Sequence, residues 1–239
     1  MNDSLKLIKE LKQFKNKHKQ EILSRFFKTG KGEYGEGDLF WGISVPNQRI
    51  IAKRFVSLDL KDIAVLLEHS VHEVRLTAAL VLVVKYQTEK KQLARKVITD
   101  FYLKKLDRFN NWDLIDLSVY KILGHYLYNY QRSKAIEILK SLARESSLWR
   151  RRAAIVATFY FIRQKSYKET FVVAEILQTD KHDLIHKACG WMLREVGKRA
   201  GEDILCLYLD KNIQKMPRVT LRYAIERFSK EKRKSYMKA

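Results

Sequence analysis

Three segments decide the fold, because they can be laid over one another: Trp149-Arg150-Arg151-Arg152-Ala153-Ala154-Ile155, Leu184-Ile185-His186-Lys187-Ala188-Cys189-Gly190 and Val219-Thr220-Leu221-Arg222-Tyr223-Ala224-Ile225. A fourth segment of the same character is Glu73-Val74-Arg75-Leu76-Thr77-Ala78-Ala79-Leu80. Arg152, Lys187 and Arg222 then follow one another at intervals of 35 residues, and small residues follow each of them. Two helices per unit at such a period indicate an α-solenoid of the HEAT or armadillo kind, although the period is slightly shorter than the roughly 40–47 residues usual for those repeats. The pattern predicts an all-α solenoid with one concave face.

The rest of the chain also favours helices. Its 239 residues include only 2 prolines and 9 glycines, which is little turn material for a fold of many strands. Apolar residues near the N-terminus recur at helical spacing, with lysines between them. We expect one α-solenoid domain over 1–239, with N-terminal helices and a glycine-rich loop over 1–57, helical repeats over 58–229 and a basic tail over 230–239.

The charge of the chain indicates a polyanionic partner. Lys and Arg number 48 against 27 Asp and Glu, a formal charge of +21. Such an excess disfavours an isolated compact state and points to nucleic acid first and an anionic membrane second. The recurrence of Arg152, Lys187 and Arg222 favours a basic track on the concave face that follows a nucleic-acid backbone. The alternative is a solvated helix face, where charges usually lie.

Segments that direct a protein to or through a membrane are not found in the sequence. The longest apolar run, Ala78–Val84, is far shorter than the roughly 18 residues that span a bilayer. The segment that begins at Met1 lacks the apolar stretch of a secretion signal. Cys189 and Cys206 have no CxxC spacing, so a disulfide framework is not expected. We expect no membrane partner and a location in the cytoplasm.

Familiar catalytic and metal-binding motifs are missing as well. His182 and His186, like His69 and His72, have spacings that a metal could use, but neither HExxH nor a third ligand accompanies them. The glycine-rich segment 29–38 has no preceding strand and no closing Gly-Lys-Ser/Thr, so it predicts a solvated loop rather than a phosphate loop. We therefore expect no metal and no nucleotide cofactor.

One segment combines an aromatic residue with a carboxylate: Asn110-Asn111-Trp112-Asp113-Leu114-Ile115-Asp116-Leu117-Ser118. A helix that begins near Asn111 would place Trp112 and Asp116 on one face, one turn apart. A carboxylate on a DNA-facing surface would repel phosphate, so its presence needs a reason. One reason is catalysis. The other, which spacing alone favours, is helix capping by Asp113, with Asp116 in the capping-box position.

A second tryptophan lies among cations at helical spacing. Lys187, Trp191 and Arg194 are at i, i+4 and i+7, which places them on one helix face. Such a face fits a surface that meets sugars or bases. Trp191 could equally be a core residue, because its neighbours are apolar and aromatic residues at helical spacing usually lie in the core.

Taken together, these segments resemble the AlkD family of DNA alkylation repair glycosylases. The resembling stretches cover nearly the whole chain: Tyr34–Arg49, Asn110–Asp116, Leu148–Ile155 and Lys187–Glu195. Their order and combination make the match specific, whereas any one of them alone would be weak. The resemblance implies a HEAT-like solenoid and hydrolysis of the N-glycosidic bond of N3- or N7-alkylated purines, without a metal or nucleotide cofactor.

The resemblance also implies roles for individual positions: Asp116 as the catalytic aspartate, Trp112 and Trp191 as cleft tryptophans, and Arg152 as the phosphate-contacting arginine. Arg151 is adjacent to Arg152 and is the other candidate for that contact. A third cleft aromatic, tyrosine in some members, falls on Phe26. With the basic residues singled out above, the expected phosphate-binding set is Arg151, Arg152, Lys187, Arg194 and Arg222.

The expected chemistry needs only one carboxylate. A purine alkylated at N3 or N7 is cationic, so it leaves as a neutral base and needs no general acid. Positive charge then develops on the deoxyribose, where Asp116 would stabilise it and orient a water molecule. The family is associated with attack through the backbone while the lesion stays stacked, whereas most glycosylases flip the base. Contact with phosphate and sugar suits that scheme.

The sequence thus leads to one function and two alternatives. The expected function is that of a monomeric DNA glycosylase acting on double-stranded DNA with cationic alkylpurines, in the cytoplasm and associated with the nucleoid when bound. A HEAT-like nucleic-acid-binding module without chemistry is the first alternative. A scaffold that binds an acidic protein on its concave face is the second.

Overall fold

The structure is a computed structural model that describes residues 3–238. Met1, Asn2 and Ala239 lie outside the described residues. The predicted N-terminal region, 1–57, and the predicted basic tail, 230–239, are therefore described except for these three residues. Within residues 3–238, no helix is both long enough and apolar enough to cross a bilayer.

The fold is all-α, as predicted. The helices of the first half are α1 Asp3–Lys12, α2 Lys17–Phe26, α3 Val45–Arg54, α4 Leu60–Leu67, α5 His72–Thr88, α6 Gln92–Lys104 and α7 Trp112–Val119. A π-helical segment, Tyr120–Gly124, follows α7. The remaining helices are α8 His125–Tyr130, α9 Ala135–Ala143, α10 Leu148–Arg163, α11 Lys168–Ile176, α12 Asp183–Ala200, α13 Glu202–Asn212, α14 Arg218–Ala224 and α15 Lys230–Lys238. An isolated bridge joins Leu39 to Val71.

Backbone contacts divide the chain into two compact units. The first ends at Ser118 and the second begins at Val119, so α7 belongs almost wholly to the first unit. The range predicted for the repeats, 58–229, includes residues of both units. The expectation of a single domain stays a prediction.

The second unit is solenoid-like: α9 packs on α10, α11 packs on α12, and α13 and α14 both pack on α12. Helix α12 packs on α10 and on α14, and the three aligned segments all lie on these second helices. Gly190 shows why small residues are needed there. A Cβ added to Gly190 would lie 2.4 Å from Tyr223 Cβ and 2.5 Å from the Thr220 carbonyl oxygen. The small residues that follow each aligned basic residue predict close packing between neighbouring helices, and Gly190 confirms this packing for α12 and α14.

In the first unit, α5 is the central helix, because it packs on both α3 and α4. Its buried Glu73 accepts hydrogen bonds from the amides of Trp41, Gly42 and Ile43 at 2.7–3.1 Å. The loop held in this way also accepts a hydrogen bond from the Asn16 amide, at 2.9 Å, through the Trp41 carbonyl. Asn16 caps α2 by accepting from the Lys19 amide. The Glu73 carboxylate therefore fixes the entry into α2, the helix that ends in Phe26.

The glycine-rich segment forms the predicted loop. The amide of Gly30 donates to Glu33 Oε2 at 3.0 Å, and the amide of Gly32 donates to Glu36 Oε2 at 2.8 Å. The loop's own carboxylates therefore use the amides that a phosphate loop would aim at an anion.

The basic tail continues the helical structure. Residues 230–238 form α15, and Lys232 Nζ lies 2.5 Å from Glu202 Oε1 of α13.

Candidate functional site

Helix α7 begins at Trp112 and carries both residues of the predicted aromatic and carboxylate pair. Trp112 and Asp116 are half-buried and lie one turn apart. The capping interpretation is wrong for both aspartates. Asp113 lies inside the first turn and turns its carboxylate away, to His72 Nε2 at 2.9 Å. Asp116 is the fifth residue of the helix, beyond the position from which a capping box could form.

Aromatic side chains fix the position of the Trp112 indole. The ring of Phe27 stacks on it, with centroids 5.1 Å apart and planes at 19°. Phe26 meets it edge-on at 5.9 Å. The indole Nε1 donates to Tyr34 Oη at 3.3 Å, and Tyr34 donates in turn to the Phe26 carbonyl at 3.5 Å. Two predicted site residues, Phe26 and Trp112, are thus brought together.

Phe26 presents its ring to the solvent beside this tryptophan, since the residue is 60% exposed although it is large and apolar. Phe27, the next residue, is 6% exposed. The buried Phe27 therefore packs on Trp112 and holds it in place, whereas Phe26 exposes an aromatic ring beside it.

Beneath the aromatic cluster lies a buried polar network that the sequence did not predict. His72 Nδ1 lies 3.3 Å from Asp38 Oδ2, and His72 Nε2 lies 2.9 Å from Asp113 Oδ2. Arg75 Nη2 donates to Asp38 Oδ1 at 2.6 Å, and Asn111 Nδ2 donates to Asp38 Oδ2 at 3.2 Å. The network joins the end of the glycine-rich loop, α5 and the start of α7.

The network holds His72 in its charged form at neutral pH. Burial alone would lower the pKa of His72, but the charge and hydrogen bond of Asp113 and the hydrogen bond of Asp38 raise the pKa to about 9. Burial likewise works to raise the pKa of Asp38, yet His72 and Arg75 hold that pKa below its usual value. The imidazolium ring packs against Phe40 and Phe27, with centroids at 4.7 and 4.8 Å.

A sequence signal for this network existed only in part. His72 was noted for its spacing to His69, but its real partners lie 34 and 41 positions away, at Asp38 and Asp113. Phe27 and Tyr34 were not predicted as site residues either.

Tyr102 of α6 lies near the other end of α7. Its hydroxyl and Ser118 Oγ are 2.9 Å apart in a buried hydrogen bond. Burial raises the pKa of Tyr102 and the negative charge of Asp116 adds to the rise, although the Ser118 hydrogen bond opposes it. Asp116 therefore lies close enough to this phenol for its charge to be felt.

In the second unit, Trp191 is half-buried rather than enclosed in the core. Its ring lies 5.9 Å from that of Phe159 on α10, at 39°. Phe159 also meets Tyr120 at 5.1 Å, and the Arg199 guanidinium lies over its ring at 5.2 Å. Trp191 thus belongs to a row of aromatic rings with Phe159 and Tyr120, and the Arg199 guanidinium lies over one of them. Of these residues, the sequence analysis singled out only Trp191.

The predicted phosphate-binding residues differ in exposure. Arg152 is 5% exposed and donates to the Leu184 carbonyl at 2.5 Å, because it reaches across to the start of the next second helix, α12. Arg151, Lys187 and Arg194 are half-buried and have acidic neighbours: Asp180 at 2.5 Å, Asp183 at 2.6 Å and Glu226, respectively. Arg222 is exposed. The basic track, and its convergence with Trp112 and Asp116 of the first unit, stays a prediction.

No group of three or more His, Cys, Asp or Glu side chains in the part of the chain from 3 to 238 is arranged to hold a metal ion. The histidines with suggestive spacing bind the protein itself. His69 Nδ1 accepts from the Val71 amide at 3.0 Å, and His182 Nδ1 accepts from the Leu184 amide at 3.2 Å. His186 Nε2 lies 2.6 Å from the Asp180 carbonyl oxygen.

Fold and site together define an all-α, solenoid-like protein in which α7 carries Trp112, a member of the aromatic cluster, and the carboxylate of Asp116. The family model described as DNA alkylation repair enzyme matches residues 7–228, and the chain belongs to this family. Its fold is similar to that of a solved structure, a predicted DNA alkylation repair enzyme from Enterococcus faecalis. The TM-score is 0.68 at 15% identity, over 90% of this chain and 97% of the other. No curated protein matches the chain.

Proposed function

We propose that this DNA alkylation repair enzyme is a glycosylase that hydrolyses the N-glycosidic bond of cationic N3- and N7-alkylpurines in double-stranded DNA. The observation that carries the proposal is the start of α7. There a tryptophan, fixed by Phe27 and Tyr34, lies one helical turn from the half-buried Asp116.

The leaving group makes one carboxylate sufficient. An alkylated purine that carries a positive charge takes the electrons of the N-glycosidic bond and departs as a neutral base. No proton has to be delivered to it, so a second acidic residue is not needed. The sugar is left with an oxocarbenium-like charge, which water then quenches at C1′.

The negative charge of Asp116 stabilises the positive charge that develops on the sugar in the transition state. A carboxylate placed before the reaction near the developing cation stabilises the transition state more than the ground state, and partial exclusion of water strengthens the effect. The same carboxylate accepts a hydrogen bond from the attacking water and takes up its proton. In a chain of charge +21, one half-buried carboxylate does not prevent approach to DNA.

The aromatic residues act as a surface for the cationic sugar. The face of an indole attracts a cation by about 0.5–2 kcal/mol, depending on how far the pair is desolvated. Trp112 and the exposed Phe26 ring present such a surface in the first unit. Trp191 would supply a second one from α12.

Phosphate contacts would come from the basic residues of α10, α12 and α14. Arg151, Lys187 and Arg194 each lie beside a carboxylate in the free protein. The Lys187–Asp183 pair, with side chains 39% and 54% exposed, is a surface ion pair. Such a pair is worth about 0–1 kcal/mol, so phosphate can replace its carboxylate at little cost. This supports binding of the DNA backbone without recognition of particular bases.

The test compares Asp116→Asn with a matched control. We expect release of N7-methylguanine from duplex DNA by the unmodified protein and a fall of at least about a hundredfold in the single-turnover rate of Asp116→Asn, since a preorganised charge is lost. The control is Asp100→Asn on α6, an exposed aspartate paired with Lys96, which should keep the unmodified rate.

DNA affinity separates the alternatives. Loss of release with DNA binding retained supports catalysis by Asp116. DNA binding without release by the unmodified protein would instead support a non-catalytic nucleic-acid-binding module. An affinity for DNA with no dependence on salt would favour a protein scaffold, because several phosphate contacts give a steep negative slope.

A further inference from the structure

His72 holds together two parts of the first unit that are distant in sequence. One ring nitrogen faces Asp38, at the end of the glycine-rich loop, and the other faces Asp113, in the first turn of α7. The three side chains are 2–9% exposed. Because the imidazole donates at both ends only when it is protonated, the bridge is complete only as an imidazolium.

Charge balance within the bridge depends on the same proton. Asp38 and Asp113 bring two negative charges, which Arg75 and protonated His72 neutralise. Arg75 bonds to Asp38 and to the carbonyls of residues 69 and 70. Within residues 3–238 the second carboxylate oxygen of Asp113 has no hydrogen-bond partner. Loss of the His72 proton would leave a buried carboxylate uncompensated, which is costly.

Other ionisable groups near His72 do not replace that proton. The carboxylate of Glu73, the next residue of α5, accepts hydrogen bonds from the amides of residues 41–43. His69, in the preceding turn, has its pKa lowered by burial and by the charges of Arg75 and Lys12, so it is neutral at pH 7.

The bridge reaches Trp112 by two routes. The first route is the backbone: Asp113 follows Trp112 directly, so its contact with His72 fixes the first turn of α7, which carries the indole. Through side chains, Phe27 lies between the His72 ring at 4.8 Å and the indole at 5.1 Å. A displacement of the His72 ring or of Asp113 would therefore move Trp112 relative to Phe26 and Tyr34.

We propose that His72 is a positioning residue whose imidazolium, bridging Asp38 and Asp113, holds the first turn of α7 and thereby sets the places of Trp112 and Asp116. The catalytic consequence rests on the proposed glycosylase function, whereas the structural consequence does not.

The structural consequence is tested without DNA, by ¹⁹F NMR of the full chain labelled with fluorotryptophan. The chain has 4 tryptophans, and the Trp112 resonance is the one missing from Trp112→Phe. We expect this resonance to shift as the pH passes the His72 pKa of about 9. In His72→Gln it should already be displaced at pH 7 and should not titrate. His18→Gln, an exposed histidine on α2, is the matched control and should behave like the unmodified protein.

The catalytic consequence is tested by single-turnover base release at pH 7. We expect His72→Gln to slow release by about ten- to a hundredfold, as misplacement of a site by about 1 Å does, while affinity for undamaged DNA stays within twofold. Asp113→Asn should give the same pattern, because it removes the other side of the bridge.

The two sets of data distinguish the outcomes. A Trp112 resonance that does not titrate in the unmodified protein overturns the positioning role. This measurement needs no folded variant of His72 or Asp113, because Trp112→Phe serves only to assign the resonance. Release by His72→Gln at the unmodified rate overturns it as well. If the unmodified protein releases no base but Trp112 titrates as expected, the proposed function fails and the structural bridge is supported.

Discussion

Asp113→Asn should make the protein less sensitive to alkaline pH. In the folded state Asp38 and Asp113 raise the His72 pKa to about 9 from the ordinary value of 6.5. A raised pKa means that the folded state binds the proton more tightly, so this contribution to stability is fully present below pH 6.5 and is lost as the pH rises through 9. The difference corresponds to about 3 kcal/mol of unfolding free energy.

The assay is urea denaturation of the unmodified protein and of Asp113→Asn at pH 6, 7, 8, 9 and 10, with Asp100→Asn as the control. Other groups titrate in this range, so the quantity of interest is the difference between the two proteins. We expect that difference to be largest at pH 6 and to shrink by roughly 2–3 kcal/mol by pH 10. A difference that stays constant across the range would refute the charged bridge.

Two further predictions concern the second unit. Arg152→Ala should lower the unfolding free energy by about 1–3 kcal/mol, because it leaves the Leu184 carbonyl without this donor. Arg222→Ala, at an exposed residue, should leave thermal stability unchanged and reduce the salt slope of DNA affinity by about one. Equal melting temperatures for the two variants would contradict this contrast. Gly190→Ala should destabilise by about 1–3 kcal/mol, since its Cβ would lie 2.5 Å from the Thr220 carbonyl oxygen. Gly32→Ala is the control, because Gly32 has positive φ but open space around it, so this variant reports backbone strain without a packing clash. If thermal denaturation shows that Gly190→Ala loses no more stability than Gly32→Ala, the close approach of α12 and α14 is contradicted.

The sequence predicted the all-α, solenoid-like fold because the determinants of helices are local and periodic. A basic residue followed by small residues every 35 positions marks one helix of each pair, and α10, α12 and α14 lie where this pattern places them. The same regularity does not predict exposure. Arg152 and Arg222 are equivalent in the alignment, yet the first is buried against α12 and the second is exposed, because exposure depends on how the next repeat covers each side chain.

The buried network could not be derived from spacing. The sequence favours Asp113 as a helix cap, whereas in the structure its carboxylate contacts His72, which lies 41 positions earlier in the chain. Trp112 was predicted with Asp116 from their one-turn separation. Its contact with Phe27 depends on how α2 is attached to α5 through Glu73 and the loop over residues 41–43, which is a tertiary property.

The central claim is that Asp116 turns a DNA-binding surface into a glycosylase. Its most direct test is mass-spectrometric detection of free N7-methylguanine after a methylated duplex is mixed with an excess of the protein, unmodified or carrying Asp116→Asn. We expect rapid liberation of the free base by the unmodified protein and little above the spontaneous rate by Asp116→Asn, with both proteins bound to the duplex. Equal liberation by the two proteins, or none by either, would contradict it.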